Sequence, residues 1–88
     1  MYSDKYSDEL IEKLSKIKKK DSKHFEIVRR KMDWILNNPE HRYKDLHHNM
    51  KWLKRVHIGH FVLVFLVDHR EKIVSFEDYD HHDNIYRR

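Results

Sequence analysis

The feature that most constrains the fold is a change of hydropathy pattern at Pro39, the only proline in the chain. Before Pro39 the apolar residues recur every three or four positions, which is typical of helices that bury one face. After Pro39 they alternate with polar residues or follow one another directly, as in residues 61–67. Such a run is typical of a central strand that is covered on both faces. The pattern therefore predicts helices in the first half of the chain and a sheet in the second.

Two helices are predicted before Pro39. The first covers residues 7–20, with Ser7 as its N-cap residue and lysines in its last turn, where the helix dipole favours cations. The second covers residues 22–38 and ends at Pro39, because proline cannot continue a helix. The junction between them is very short, which predicts an antiparallel helical hairpin.

Three strands are predicted in the second half of the chain, over residues 51–57, 61–67 and 72–79. In the first of these, apolar and polar residues alternate, as in a half-buried strand. Gly59 lies between the first two strands and can adopt the positive φ of a tight turn. The polar residues 40–50 predict a connecting loop that can hold a short strand at its end, and residues 80–88 predict a polar tail.

Together these elements predict a single α+β domain over residues 1–88. In this domain an N-terminal helical hairpin packs on one face of an antiparallel β-sheet, so that the apolar central strand has a layer to cover it. A length of 88 residues allows one small domain and not two.

Composition excludes several classes of protein. The chain has no cysteine, so it has no disulfide framework, no thiolate nucleophile and no cysteine-ligated zinc. Its single glycine excludes the phosphate-binding loops that need several. No apolar run approaches the roughly 20 residues of a membrane span, and the first residues lack the apolar core of a signal peptide. We therefore expect a protein of the cytoplasm that does not insert into a membrane.

The charge balance leaves two interpretations open. Lysine and arginine number 19 against 15 acidic residues, and nine histidines add further positive charge below neutral pH. A sequence pI near 9.3 reaches the range in which a nucleic-acid partner is expected. The alternative is that the charged residues, 39% of the chain, only keep a small domain in solution.

Two segments resemble the RelE/ParE superfamily of toxins from toxin–antitoxin systems. Residues 49–65 are similar to that family's strand, glycine-containing turn and apolar strand, and residues 80–87 resemble its closing segment, G-H-R-x-x-V-Y-R. Val62 stands where many members carry an arginine, and His82 stands where arginine is common. These departures resemble the histidine-using, YafQ-like members. Residues 2–6 are a poor match to the family's first apolar strand.

The resemblance implies a RelE-like fold and a ribosome-dependent endoribonuclease that cuts mRNA. In the implied reaction a ribose 2′-hydroxyl attacks the adjacent phosphate, and neither a metal nor a small-molecule cofactor takes part. Histidine suits the base and acid roles, because both of its protonation forms are populated near neutral pH. Arginine suits the third role, which is to neutralise the negative charge on the phosphate. The resemblance also implies a RelB-like antitoxin as partner, beside the ribosome and mRNA.

Candidate site residues follow from these requirements. Strand alternation places Arg55 and His57 on one face, and the closing segment is expected to approach the same cleft. Lys51 and Lys54 are expected to contact outlying phosphates of the substrate. The predicted catalytic residues are Arg55, His57, His60, His81, His82 and Tyr86.

Other functions remain open at this point. Arg55 and His57 are equally compatible with the solvated face of an amphipathic strand. A ParE-like toxin that binds gyrase needs no such cluster, and Val62 is compatible with an inactive homologue that acts only by binding. A metal-binding domain would use four histidines: His57, His60, His81 and His82.

Overall fold

The computed structural model describes residues 1–87; residue 88 of the predicted tail lies outside the described residues. The elements in chain order are β1 (Ser3–Tyr6), α1 (Asp8–Lys20), α2 (Ser22–Asn37), β2 (Lys44–His47), β3 (Met50–Ile58), β4 (Phe61–Asp68), β5 (Ile73–His81) and α3 (His82–Tyr86). Among these elements, no helix has the length and apolar character needed to cross a membrane.

The five strands form one mixed sheet in the order β1-β5-β4-β3-β2. The pairs β2–β3, β3–β4 and β4–β5 are antiparallel, as predicted for the three strands placed from the sequence, β3 to β5. At the edge, β1 runs parallel to β5, with Tyr6 opposite Phe76. The predicted α+β class, a helical hairpin on a sheet, is confirmed. Within the poorly patterned residues 2–6, Ser3–Tyr6 form the first strand, which is short and exposed.

Local capping sets the bounds of the helical hairpin. The Ser7 side chain accepts a hydrogen bond from the Leu10 N–H at 3.1 Å, which satisfies one of the free donors at the start of α1. Asp21 ends α1, and its carboxylate accepts from the His24 N–H at 3.1 Å to cap α2. One aspartate thus separates the two helices and fixes the tight turn between them.

The main core lies between the helical hairpin and one face of the sheet. Leu63 and Phe65 of β4 point into it, whereas Val62 and Val64 point to the opposite face, where Ile85 of α3 covers them. This explains why β4 is apolar on both faces. The buried residues of the main core are Leu10, Leu14, Val28, Met32, Ile35, Leu36, Tyr43, Leu63, Phe65, Val74, Phe76 and Tyr79.

Two segments differ from the sequence-based expectation. Residues 44–47, in the predicted loop, form β2, which pairs antiparallel with β3. The prediction of a polar tail over residues 80–88 is wrong within the described residues, because β5 continues to His81 and α3 follows. Both elements are short and mostly polar, so their formation depends on pairing with β3 and on burial of Ile85 rather than on a local pattern.

Candidate active site

Arg55 and His57 lie side by side on the sheet face opposite the helical hairpin. Arg55 pairs with Val64 and His57 with Val62, and both valines belong to the smaller apolar cluster on that face. Arg55 Nη1 and His57 Nε2 are 2.8 Å apart. Since guanidinium has only donors, His57 Nε2 accepts this bond and the imidazole is neutral.

The edge strand β2 orients the Arg55 side chain. Arg55 Nε donates to the backbone carbonyl of Asp45 at 3.1 Å, so the guanidinium is held at two points, by Asp45 and by His57. The sequence did not predict this contact, because it depends on a strand in the segment expected to be a loop.

The C-terminal helix α3 brings two further side chains to the same face. The ring of His82 is stacked on that of His57 with centroids 5.9 Å apart and planes at 28°. The Tyr86 ring lies 4.7 Å from His82. Ile85, between them in sequence, is buried against Val62, so α3 is anchored above β4. Four residues therefore meet here, and we refer to them as the Arg55 cluster: Arg55, His57, His82 and Tyr86.

Val62 has a structural role in this arrangement. Its side chain is fully buried, in the apolar cluster that includes Ile85. A charged side chain at this position would displace α3 or remain unpaired in an apolar layer. A valine at this position therefore allows α3 to pack on β4 and to place His82 over His57.

His60 and His81 lie apart from the Arg55 cluster. His81 pairs with Phe61, which packs against the main core on the hairpin side of the sheet. The His81 ring lies 5.7 Å from Phe61 and 6.1 Å from His60, with which it is stacked. The structure therefore brings four of the six predicted catalytic residues together and leaves these two on the other face.

The two predicted substrate lysines are also outside the cluster. Lys54 lies opposite Phe65, a residue of the main core, and its ammonium pairs with Asp45. Lys51 is exposed at the start of β3. Both line a separate cavity of about 570 Å³ beside the exposed ring of Trp52.

A basic groove extends from the Arg55 cluster along β2. Its volume is about 750 Å³, and its cations come largely from the segment that the sequence predicted to be a loop. His47 of this groove lies 5.7 Å from the Tyr86 ring, which makes the groove continuous with the cluster. The charged and histidine side chains that line it are Arg42, Lys44, Asp45, His47, His48, Lys54 and Arg55. Of the two predicted substrate lysines, Lys54 therefore also lines this groove.

The surroundings of His57 favour its neutral form. Burial lowers the pKa of His57, and the positive charges of Arg55, His82 and Lys44 lower it further. A neutral imidazole next to a fixed guanidinium can take up a proton at Nε2 once the guanidinium moves to another acceptor.

The histidines do not form a metal site. The four histidines of the metal hypothesis are divided into two stacked pairs, His57 with His82 and His60 with His81, on different faces of the sheet. Within residues 1–87, no group of three or more histidine, aspartate or glutamate side chains is arranged to hold a metal ion.

Known proteins are similar to this chain in sequence and in fold. No protein-family model matches the chain. A protein of Methanocaldococcus jannaschii described as "Putative toxin RelE4" is 46% identical over 89 residues, which cover 100% of this chain and 94% of that protein. The chain belongs to the RelE toxin family. A Methanosarcina mazei protein described as "Uncharacterized protein" is 54% identical to this RelE-family chain over 87 residues, covering 98% of it and 100% of the relative.

Solved structures of RelE proteins share the fold at low sequence identity. A chain of the intact RelBE toxin–antitoxin complex of E. coli superposes with a TM-score of 0.76 at 15% identity, over 92% of this chain and 96% of that one. The isolated E. coli RelE toxin gives a TM-score of 0.76 at 14% identity, over 99% and 98%. The RelE-like fold and the resemblance to the RelE/ParE superfamily are thus confirmed.

Proposed function

We propose that this RelE-family toxin is a ribosome-dependent endoribonuclease that cleaves mRNA without a metal. The observation that carries the proposal is the Arg55 cluster, in which two imidazoles and a guanidinium meet on one exposed face beside a basic groove. Attack of a ribose 2′-hydroxyl on the adjacent phosphate needs a base, an acid and positive charge on the phosphate. The cluster offers a side chain for each role.

His57 is assigned as the base. Its Nε2 is an acceptor in the free protein, and its lowered pKa keeps it neutral near pH 7. When Arg55 turns to the phosphate, Nε2 is free to take the proton of the 2′-hydroxyl. The 2′-oxygen then bonds to phosphorus, which leaves a 2′,3′-cyclic phosphate on one fragment.

His82 is assigned as the acid and Arg55 as the group that neutralises the phosphate. As the bond from phosphorus to the 5′-oxygen breaks, His82 donates a proton to that oxygen, and the second fragment leaves with a 5′-hydroxyl. Arg55 matches two phosphate oxygens with its fork of donors and is held by the Asp45 carbonyl. Tyr86, half-buried beside His82, offers a ring on which a base can stack.

The basic groove along β2 accounts for binding of the RNA strand on one side of the cleaved link. Arg42 and Lys44 line it next to Arg55, and cations at this spacing neutralise successive phosphates. A toxin of 88 residues offers little surface to position RNA by itself, which supports the ribosome as the partner that presents mRNA.

The remaining partners follow from the relatives. RelE in the E. coli complex is bound to an antitoxin, and we propose that a RelB-like antitoxin likewise binds and inhibits this toxin. Because translated mRNA is its proposed substrate, we propose that the toxin acts in the cytoplasm. We propose no small-molecule cofactor, because the cluster supplies base, acid and positive charge by itself.

Primer extension on translated messages tests the proposal. Induced expression of the wild-type toxin should produce new 5′ ends within translated reading frames, and expression of a His57→Ala variant at equal level should not. Inhibition of gyrase supercoiling by the purified toxin, with no new message ends, would instead identify a ParE-like toxin and overturn the nuclease.

A further inference from the structure

A single carboxylate, that of Asp80, connects three elements beneath the Arg55 cluster. Its Oδ2 accepts a hydrogen bond from Lys13 Nζ of α1 at 2.8 Å. Its Oδ1 accepts from Asn84 Nδ2 of α3 at 2.9 Å and from the His81 N–H at 2.7 Å. Asp80 therefore links the first long helix, the end of β5 and the short C-terminal helix.

Helix α3 depends on contacts of this kind for its position. It has five residues, far fewer than the roughly 12–15 that an isolated helix needs to be even marginally stable in water. Only Ile85 among its side chains is buried, and it packs against Val62 and Val64. The half-buried Tyr86 packs on the same apolar cluster. At the start of α3 the His82 N–H donates to the His60 carbonyl at 2.8 Å, and His81 Nδ1 accepts from the Asp83 N–H at 3.3 Å. The bond from Asn84 to Asp80 adds a further fixed point in the middle of the helix.

The two side chains that α3 brings to the Arg55 cluster depend on this orientation. His82 and Tyr86 lie one helical turn apart, at either side of Asn84 and Ile85. Because acid catalysis requires placement within a fraction of an ångström, a small rotation of α3 would separate His82 from its position over His57.

We propose that Asp80, held by Lys13 and bonded to Asn84, is a positioning residue that fixes α3 and thereby holds His82 over His57. The inference rests on the proposed function only in that His82 acts on RNA. Lys13 also bonds Asp78 at 2.8 Å, a carboxylate that is almost fully buried. The ammonium thus keeps two neighbouring carboxylates paired, and Asp80 is presented to α3 in one fixed orientation.

The Asn84→Ala variant tests the link without disturbing the core. Asn84 is exposed, and alanine is the better helix former, so weaker placement of α3 would not come from lost helix propensity. Asn37→Ala is the matched control, since Asn37 is exposed on α2 and its side chain donates to the Asp33 carbonyl of the same helix. Asp80→Asn is a second variant that keeps the size of the side chain and removes its charge.

The first measurement is the nuclear Overhauser effect between the rings of His57 and His82. We expect it to weaken in Asn84→Ala and Asp80→Asn and to persist in Asn37→Ala, while the effect between His60 and His81 is unchanged in Asn84→Ala. The second is mRNA cleavage, in which Asn84→Ala should lower kcat by about tenfold or more with KM within about twofold. An intact His57–His82 contact in both Asp80 and Asn84 variants would overturn the positioning role.

The two measurements separate this inference from the proposed function. The ring contact is observed in the free protein and does not depend on RNA cleavage. If the wild-type toxin cuts no message, the nuclease proposal is wrong, while the Overhauser effect still decides whether Asp80 positions α3.

Discussion

Arg55 and His57, two residues apart on β3, share a hydrogen bond of 2.8 Å in which the guanidinium donates to the imidazole. The bond defines the protonation state of His57 in the free protein. Nε2 must carry a lone pair, so the ring proton of neutral His57 is on Nδ1. In the proposed reaction Arg55 moves from His57 to the phosphate when substrate binds, and the lone pair of His57 is then free to take the proton of the 2′-hydroxyl.

The charge of Lys44 should influence the protonation of His57. Its positive charge, with burial and the charges of Arg55 and His82, lowers the pKa of His57. Lys44→Met removes one of these charges, so the pKa of His57 should rise. In a plot of cleavage rate against pH, the fall in rate at the acid side should then move to higher pH. An NMR titration of the His57 ring measures the pKa directly. The control is Lys16→Met, whose ammonium is exposed on α1 and pairs with Glu12.

Acid should weaken the fold through Asp80. Burial alone would raise the pKa of Asp80, but bonds from Lys13, Asn84 and the His81 N–H lower it to about 2, against an ordinary value of 3.8. The group therefore stabilises the fold above pH 4, by about 2 kcal/mol, and this contribution is lost as the pH falls from about 4 to about 2. Urea unfolding across that range should show a smaller loss for Asp80→Asn than for wild type. Equal losses would contradict the assignment.

Neighbouring positions on α1 should differ sharply in their effect on stability. Leu10 is fully buried in the main core, whereas Ile11 is 53% exposed. Leu10→Ala should lower the free energy of unfolding by about 2–5 kcal/mol, because it leaves a cavity. Ile11→Ala should change it by no more than about 0.5 kcal/mol. Denaturant titration of both variants checks this, and a similar loss in each would mean that α1 does not pack as described.

The groove along β2 should contribute to RNA binding through charge. Arg42→Met should weaken binding of a short single-stranded RNA and reduce the slope of log K against log salt by about 0.7, the value for one lost phosphate contact. Arg30→Met is the control, since Arg30 has a side chain 75% exposed on α2. Titrations at several salt concentrations measure the slope. An unchanged slope in Arg42→Met would remove Arg42 from the RNA path.

The parts of the fold that are determined locally could be predicted from the sequence. Ser7 marks the start of α1 because its side chain caps the Leu10 N–H, and Pro39 marks the end of α2 because proline cannot continue a helix. The cap that Asp21 provides for α2 was not predicted. The apolar strand β4 could be placed because both of its faces are buried. The bounds of β2 and the helix α3 could not, since β2 has one half-buried apolar side chain, Leu46, and α3 has only Ile85 and the half-buried Tyr86.

The part of the candidate site that depends on local sequence patterns could also be predicted. Arg55 and His57 follow from strand alternation, and the resemblance to RelE suggested His82 and Tyr86. His81 was predicted with them because the closing segment was expected to approach the same cleft, but His81 ends β5 and lies against Phe61 on the other face. The link from Lys13 to Asp80 joins residues 67 positions apart, and no local pattern marks it.

The most direct test of the account is the single-turnover rate of mRNA cleavage on ribosomes by three variants, His57→Gln, His82→Gln and His81→Gln. The Arg55 cluster predicts that the first two lose about 10²-fold or more, as expected for removal of a general base or acid. His81→Gln removes the side chain that caps α3 but no catalytic group, and its loss should be about tenfold at most. Near wild-type rates for His57→Gln and His82→Gln, or a comparable loss in His81→Gln, would contradict it.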